Sequence, residues 1–210
     1  MSLSEYLQAH FVEKSTFASL AGISSERLDQ LLAAEAIPSA TYTCDGESVS
    51  SAAFGTTEIR ENLAGRYFRP ECVRWATVAA TAQPGWERAA VLAELTKELR
   101  VALQDYVEDS TAIEEKIESF LPYFWDGTFG LCVADPSCGA GIVRKEMLQE
   151  RLTALTTNGS DSSPAGISPG ELLRLIDDYA VSAMPFSPAE YERSSRRRLV
   201  DCLRPVVAKA

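Results

Sequence analysis

The thirteen residues from Pro122 to Ala134 constrain the fold of this chain more than any other stretch. They read Pro-Tyr-Phe-Trp-Asp-Gly-Thr-Phe-Gly-Leu-Cys-Val-Ala, so four aromatic residues, an acid, two glycines and a cysteine lie close together. Asp126-Gly127 is a strong turn dipeptide, and a glycine can adopt positive φ or let another group approach the backbone closely. The segment therefore forms either the plug of a helical core or the floor of a pocket.

The composition is that of a soluble globular protein. Of the 210 residues, 46% are hydrophobic and 24% are charged, which are ordinary values for a chain that buries a core. No apolar run approaches the roughly 20 residues that a membrane span needs. The N-terminus lacks the basic and then apolar pattern of a signal peptide. We therefore expect a cytoplasmic protein that makes no contact with a membrane.

The cysteines and the single histidine narrow the chemistry. The five cysteines are an odd number, and no two of them have the C-x-x-C spacing, which favours reduced thiols over a disulfide framework. His10 is the only imidazole, so most metal sites and catalytic triads lack a necessary group. The chain has no P-loop and no dinucleotide-binding fingerprint. We predict no metal and no cofactor.

The net charge of −10 argues against nucleic acid as a partner, because nucleic-acid binders concentrate basic residues on one face. In the first 55 residues, Lys14 and Arg27 stand against seven acidic residues. Only the segment after residue 183 is basic, with six lysines and arginines against three acids.

Residues 16–32 resemble a helix-turn-helix, with Gly22 in the turn and Ser24 as the cap of the second helix. The second helix would expose more acidic than basic side chains, which is costly beside DNA. We therefore interpret the pair first as a structural or interaction module. Residues 40–51 predict a small β-hairpin that turns at Asp45-Gly46 and forms a wing beside the helix pair.

The remaining periodicity is helical. It predicts helices over 70–82, 86–107, 111–124, 142–155, 170–183 and 188–207, three of which begin with the capping boxes Thr111–Glu114, Ser168–Glu171 and Ser187–Glu190. The small, polar residues 50–57 mark the boundary between domains. The predicted fold is thus mostly α, and indeed all-α apart from the hairpin: a helix-turn-helix-like module over 1–55 and a helical domain over 56–210.

Two segments combine the residue types that could bind or transform a ligand. Residues 66–75 combine aromatic rings with arginine guanidinium groups, which bind carboxylates and phosphates, and residues 122–134 combine aromatic rings with an acid, a hydroxyl and a thiol. The predicted ligand-binding residues are Arg66, Tyr67, Arg69, Arg74, Trp75, Tyr123, Trp125, Asp126 and Thr128. Asp126 and Cys132 are the candidate catalytic residues, as general base and as nucleophile. The structural alternatives are ion pairs for the arginines, a turn cap for Asp126 and a buried thiol for Cys132.

Four sequence pieces together resemble a family of bacterial natural-product biosynthesis proteins of unknown function with an N-terminal helix-turn-helix-like segment. They are Ala21-Gly-Ile-Ser24 with Ala36-Ile-Pro38, Arg66-Tyr-Phe68, Asp126-Gly-Thr-Phe-Gly-Leu-Cys132, and Glu192-Arg-Ser-Ser-Arg-Arg-Arg-Leu-Val200. The resemblance covers most of the chain and implies a cytoplasmic bacterial protein encoded among biosynthetic enzymes. It brings no established catalytic residues.

The leading functional hypothesis is a biosynthetic protein that binds a small metabolite in its helical domain, as an enzyme or as an accessory protein. One alternative is a transcriptional regulator that senses a metabolite. Another is a scaffold that docks other proteins through the helix pair, which an exposed apolar face on residues 16–36 would favour. A homodimer and a biosynthetic enzyme partner both remain open.

Overall fold

The structure, a computed structural model, describes residues 1–209 and combines helices with one antiparallel sheet. The helices are α1 (Leu3–His10), α2 (Lys14–Leu20), α3 (Ser25–Ala33), α4 (Val73–Thr81), α5 (Glu87–Leu103), α6 (Ser110–Trp125), α7 (Thr128–Cys132), α8 (Gly139–Leu155), α9 (Pro169–Ser182) and α10 (Arg204–Val207). The strands are β1 (Val12–Glu13), β2 (Tyr42–Asp45), β3 (Ser48–Ser51), β4 (Gly55–Glu58) and β5 (Ala64–Phe68). Among residues 1–209, no helix has both the length and the apolar composition needed to cross a bilayer.

The five strands form one sheet in the order β1-β5-β2-β3-β4, with every pair antiparallel. Strand β5 pairs with β1, so that Val12 lies opposite Phe68. On its other side β5 pairs with β2, where Tyr42 lies opposite Tyr67. The prediction of a mostly α, all-α chain with one small hairpin is therefore wrong, and the protein is a mixed α and β fold.

The missed strands lack the sequence pattern by which strands are recognised. β4 reads Gly-Thr-Thr-Glu and β1 has two residues, too few to show the alternation of apolar and polar side chains on which strand prediction rests. β5 begins with exposed Ala64 and Gly65. Strand β4 crosses the boundary predicted after residue 55 and β5 lies beyond it, yet both share a sheet with β1, β2 and β3.

The local predictions at the N-terminus agree with the structure. Helices α2 and α3 are joined by a turn in which Gly22 has φ of 68°, and the Ser24 hydroxyl accepts a hydrogen bond from the Arg27 N–H at the start of α3. The hairpin is confirmed as β2 and β3, and Asp45 accepts N–H bonds within its turn. Each of these features depends on residues that are close together in sequence.

Most helices begin and end within a few residues of the predicted positions, but one capping residue and one whole helix differ from the prediction. Asp109 rather than Thr111 caps α6, because its carboxylate accepts the Ala112 N–H. The single helix predicted over 188–207 is instead a 3₁₀ turn at Tyr191–Arg193, a π-helical turn at Arg197–Cys202 and the short α10. The Ser168–Glu171 capping box at α9 is confirmed.

One large hydrophobic core joins the sheet to the helices, from Leu3 in α1 to Phe186 near the C-terminus. Trp75, Leu95 and Leu99 are completely buried in it. A second, smaller core lies between α8, α9 and the C-terminal turns, around Leu152 and Ile176. Helix α8 contributes to both cores, through Ile142 and Val143 to the first and through Leu152 to the second.

The aromatic stretch, residues 122–134, fills part of the first core. It also contacts the N-terminal region of the chain. Gly127 has φ of 85°, and a Cβ atom there would lie 2.7 Å from the carbonyl oxygen of Ser39. A Cβ atom at Gly130 would overlap the Thr41 hydroxyl. The Ser39 N–H also donates to the Trp125 carbonyl at 3.0 Å. Both glycines are needed because residues 39–41 pass directly over this turn.

A buried carboxylate ties the C-terminal segment to the sheet. Glu190 is 2% exposed and accepts hydrogen bonds from the hydroxyl groups of Tyr42 (2.6 Å), Ser51 (2.6 Å) and Ser187 (2.9 Å). Three hydroxyl donors compensate for the loss of hydration, which would otherwise make a buried carboxylate very costly. Tyr42 and Glu190, which are 148 positions apart in sequence, thus belong to one polar cluster.

Candidate functional site

The predicted arginine and aromatic segment holds a loop of the protein itself. Arg69 is buried and donates from Nη2 to the Ala134 carbonyl at 2.9 Å. Arg74 donates from Nη1 to the Ser137 carbonyl at 2.7 Å, and the Trp75 indole N–H donates to the Pro136 carbonyl at 2.9 Å. These side chains fix residues 133–138, the loop between α7 and α8.

Carboxylates that bind Arg69 and Arg74 complete this arrangement. Arg69 forms an ion pair with Glu71 at 2.8 Å, and the Arg74 guanidinium binds both oxygens of Glu98 and also Glu94. Glu98 in turn accepts the Gly139 N–H at 2.8 Å. The ion pairs considered as the structural alternative are present for both arginines, so their charge is neutralised within the protein.

The other predicted ligand-binding residues are distributed over different surfaces. Arg66 is half-buried with its guanidinium 5.8 Å from the centre of the Phe68 ring, and Tyr123 is 52% exposed. Trp125 is half-buried beneath the Arg88 guanidinium, 4.1 Å from the ring centre. Tyr67 lines a cavity of about 210 Å³, together with Ser4, Leu7, Gln8, Phe11, Glu13 and Leu63.

Asp126 and Thr128 serve the turn between α6 and α7. The Asp126 side chain is exposed and accepts the Thr128 N–H at 2.8 Å, which is the turn-capping role given above as its alternative. The Thr128 hydroxyl is buried and has no hydrogen-bond partner within residues 1–209. The structure therefore does not gather the predicted ligand-binding residues around one open pocket.

Cys132 is buried and contacts a lysine that the sequence did not single out. The Lys145 Nζ lies 3.4 Å from the Cys132 Sγ and 2.7 Å from the Glu146 carboxylate. Lys145 is 3% exposed, an unusual position for an ammonium group. It belongs to the buried stripe of α8, between Ile142 and Leu152, and a lysine within an apolar stripe was the signal that could have found it.

The two groups hold protons at neutral pH for different reasons. Burial raises the pKa of the Cys132 thiol more than Lys145 lowers it. Burial lowers the pKa of the Lys145 ammonium group, and attraction by the Glu146 carboxylate, 2.7 Å away, opposes that effect and keeps the group charged. The contact is therefore an ammonium group that donates to a neutral thiol. Such a thiol is a poor nucleophile, so Cys132 is best described as structural.

A second cysteine has a more accessible position. Cys138 is half-buried at the N-terminus of α8, where its Sγ accepts the Gly141 N–H at 3.4 Å and donates to the Asp135 carboxylate at 3.7 Å. A Cβ atom at Gly139 would lie 2.7 Å from the Leu99 nitrogen of α5, so only glycine fits there. The sequence signal for an accessible thiol here was a cysteine directly before Gly-Ala-Gly at the start of a predicted helix.

Two grooves meet at Cys138 and Ala140. The larger has a volume of about 510 Å³ and runs between the C-terminal half of α5 and the start of α8; its other lining residues are Lys97, Glu98, Val101, Ala102, Gln104 and Asp105. The smaller, of about 340 Å³, runs from α8 toward the end of α9 and is lined also by Ala134, Asp135, Gly141, Arg144, Val181 and Ser182. Both volumes fall within the range of small-molecule sites.

The wall of the larger groove combines apolar side chains with polar ones. Val101 is 63% exposed, and it lines the groove together with Ala102, Ala140 and the Cys138 thiol. Glu98 holds Arg74 and the Gly139 N–H, so this wall is fixed by the same bonds that fix the loop. Within residues 1–209, no three His, Cys, Asp or Glu side chains are placed to hold a metal ion.

Comparison with known families gives one match. Residues 87–207 match a family described as a family of unknown function, DUF6058. Comparisons with curated proteins and with solved structures gave no match. The matched region begins at α5 and includes α8, Cys138 and both grooves. Since the match covers more than half of its length, the chain belongs to the DUF6058 family.

Proposed function

We propose that this chain is a natural-product biosynthesis protein that binds a small, mainly apolar metabolite in the groove between α5 and α8. The observation that carries the proposal is the groove of about 510 Å³, with Val101, Ala102 and Ala140 on its wall and the Cys138 thiol at one end. The resemblance to biosynthesis proteins described above supports the biological setting. The hypothesis of a bound metabolite is kept, but the proposed binding site is this groove instead of the aromatic stretch.

Rigidity of the wall also supports binding. A preformed site loses less conformational entropy when a ligand binds than a mobile one does. Arg74, Trp75 and Glu98 hold the loop before α8 by hydrogen bonds to its backbone. The predicted binding residues Arg74 and Trp75 would thus position the wall of the site without touching the ligand.

The alternative functions receive less support. In α3, Arg27 is bound to Glu87 at 2.6 Å, and Lys14 of α2 is bound to Asp29 at 2.7 Å, so neither cation is available to a phosphate. A docking scaffold would need an exposed apolar face on residues 16–36, where Leu20 is the one large apolar side chain that is exposed.

Binding can be tested with N-phenyl-1-naphthylamine, an uncharged apolar fluorophore. We expect a saturable increase in its fluorescence with the native protein and a loss of that increase in Ala140→Trp, which fills the groove. Ala93→Trp is the matched control, because Ala93 is also an exposed helical alanine and lies outside the groove. Equal binding by both variants would show that the fluorophore occupies another place.

Thiol modification gives an independent measurement. The fluorophore should slow the alkylation of Cys138 by iodoacetamide, while alkylation of the exposed Cys202 should keep its rate. For the biosynthetic setting, protein isolated from its native host should release a small molecule, detected by mass spectrometry, that Ala140→Trp does not carry. A protein that releases nothing while it still binds the fluorophore would argue against a metabolite of the host.

A further inference from the structure

A cleft of about 350 Å³ lies at the other end of α8, away from Cys138. It is bounded by the last turns of α8, by residues 166–167 and by residues 171–178 of α9. Leu155, Ile167 and Leu175 form an apolar wall that is continuous with the second hydrophobic core. Arg151 and Arg174 line the same cleft and are both exposed.

These two arginines differ from most of the other arginines in the chain. Most arginines are bound to carboxylates or to backbone carbonyls, as expected where acidic residues outnumber basic ones by 30 to 20. Within residues 1–209, four arginines have neither an ion pair nor a side-chain hydrogen bond: Arg60, Arg66, Arg151 and Arg174. Arg151 and Arg174 lie in one cleft, so their charges converge on the same space.

The two acids of the cleft, Glu171 and Asp178, bind groups other than Arg151 and Arg174. Glu171 accepts the Ser168 hydroxyl at 2.6 Å and the Ser168 N–H at 3.0 Å. Asp178 is bound to Arg144 at 3.3 Å. Hydrogen bonds from Ser168, and then the charges of Arg174 and Arg151, hold the pKa of Glu171 below its ordinary value. The cleft thus has two positive and two negative side chains, and within residues 1–209 the guanidinium N–H groups of Arg151 and Arg174 are the side-chain donors in it that bind no acceptor.

We infer that this cleft is a second binding site, for a small carboxylate that carries a short aliphatic tail. A guanidinium group can donate two parallel hydrogen bonds to a carboxylate, and two such groups can hold one anion from both sides. The apolar wall favours an aliphatic tail over a fully hydrated anion such as phosphate. The site is separate from the groove at Cys138, and it stands whether or not that groove binds a metabolite.

The test is calorimetric titration of the full chain with hexanoate. We expect a Kd of about 1 mM or tighter, a weak affinity that suits a solvent-open cleft. Arg151→Gln and Arg174→Gln should each weaken binding about tenfold, because each removes charge-assisted hydrogen bonds. Arg60→Gln is the matched control, since it removes the same charge from an arginine that also lacks a partner but lies outside the cleft.

Two further ligands test the chemical class. Hexan-1-ol, which has the tail without the charge, and inorganic phosphate, which has charge without a tail, should both bind much more weakly than hexanoate. The inference is overturned if either binds as well as hexanoate, if hexanoate does not bind, or if Arg60→Gln weakens binding as much as the cleft variants do. Ala140→Trp should leave hexanoate affinity unchanged, so a failure here is distinguishable from a failure of the groove.

Discussion

The first turns of α8 and α9 are built from similar residues and have different surroundings. Each follows a small capping residue, Cys138 or Ser168, and each contains glycine. A Cβ atom at Gly139 would meet α5 at 2.7 Å, whereas a Cβ atom at Gly170 would have nothing within 4 Å. The start of α8 is thus packed against its neighbours, and the start of α9 is open to solvent.

The arginines near the two turns differ in the same way. Arg74 binds two carboxylates and the Ser137 carbonyl beside the first turn of α8. Arg174, beside the first turn of α9, has no such partner within residues 1–209. The same residue type therefore stabilises the protein in one place and stays available to a ligand in the other. The partners of an arginine, rather than its residue type, decide whether it is structural.

The largest expected difference between the turns comes from adding one methyl group. Gly139→Ala should reduce the free energy of unfolding by about 3 kcal/mol, because the new Cβ atom would force α5 and α8 apart. Gly170→Ala should increase it by about 0.5 kcal/mol, because alanine restricts the unfolded chain and meets nothing in the folded one. Urea unfolding of both variants measures the two values, and similar values would mean that the turns are equally open.

Removal of the arginines should give the next difference. Arg74→Ala should destabilise the protein by about 2 kcal/mol, since it leaves the Ser137 carbonyl without its side-chain donor and Glu98 with the Gly139 N–H alone. Arg174→Ala should change stability by less than about 0.5 kcal/mol, as substitutions of unpaired surface residues usually do. Thermal unfolding compared at one pH gives both values, and a large loss in Arg174→Ala would reveal a structural partner.

Acid should weaken the first turn of α8 through Glu98. Burial raises the pKa of this carboxyl, but hydrogen bonds from Arg74 and the Gly139 N–H outweigh burial, so the pKa lies below its ordinary value of about 4.5. The ionised group therefore stabilises the fold above about pH 4.5, and this contribution is lost as pH falls through the lowered pKa.

Glu98→Gln is the corresponding variant. It should be less stable than the native protein by about 1 kcal/mol at pH 7, because hydrogen bonds to a charged acceptor are replaced by weaker ones. The difference in urea midpoint should narrow below about pH 4 as the native carboxyl becomes protonated. A gap that stays constant between pH 7 and pH 3 would mean that the charge of Glu98 contributes nothing.

The smallest expected effect is an exchange of the two capping residues. Serine is a preferred helix cap, so Cys138→Ser should stabilise α8 by about 0.5 kcal/mol, and Ser168→Cys should destabilise α9 by a similar amount. Chemical denaturation of the two variants and of the double variant checks this. Effects of the same sign in both single variants would contradict the capping explanation.

The sequence predicted the features that short-range rules determine. The turn at Asp45-Gly46 and the capping box at Ser168 depend on residues within three positions of each other. Strand β1 depends on Val12 pairing with Phe68, more than fifty positions away, and a two-residue strand has no periodicity to reveal it. The mixed fold was missed because its sheet is made of short strands with distant partners.

The same limit applies to the candidate site. The pattern of residues 66–75 gave the types of side chain correctly but could not give their partners, which lie in residues 134–137 and in α5. Cys132 was recognised, whereas Lys145, thirteen positions later, could be assigned to it only from the packing of α7 on α8. The groove at Cys138 needs the backbone geometry of two helices, and no single motif encodes it.

The Glu190 cluster affects the order in which the chain can mature during synthesis. Tyr42 and Ser51 leave the ribosome early, but the carboxylate that accepts their hydroxyl groups is near the C-terminus. At about 5–20 residues per second, translation keeps these hydroxyl groups without their acceptor for several seconds. The side-chain hydrogen bonds of Tyr42 and Ser51 to Glu190 can therefore form only after nearly the whole chain has emerged.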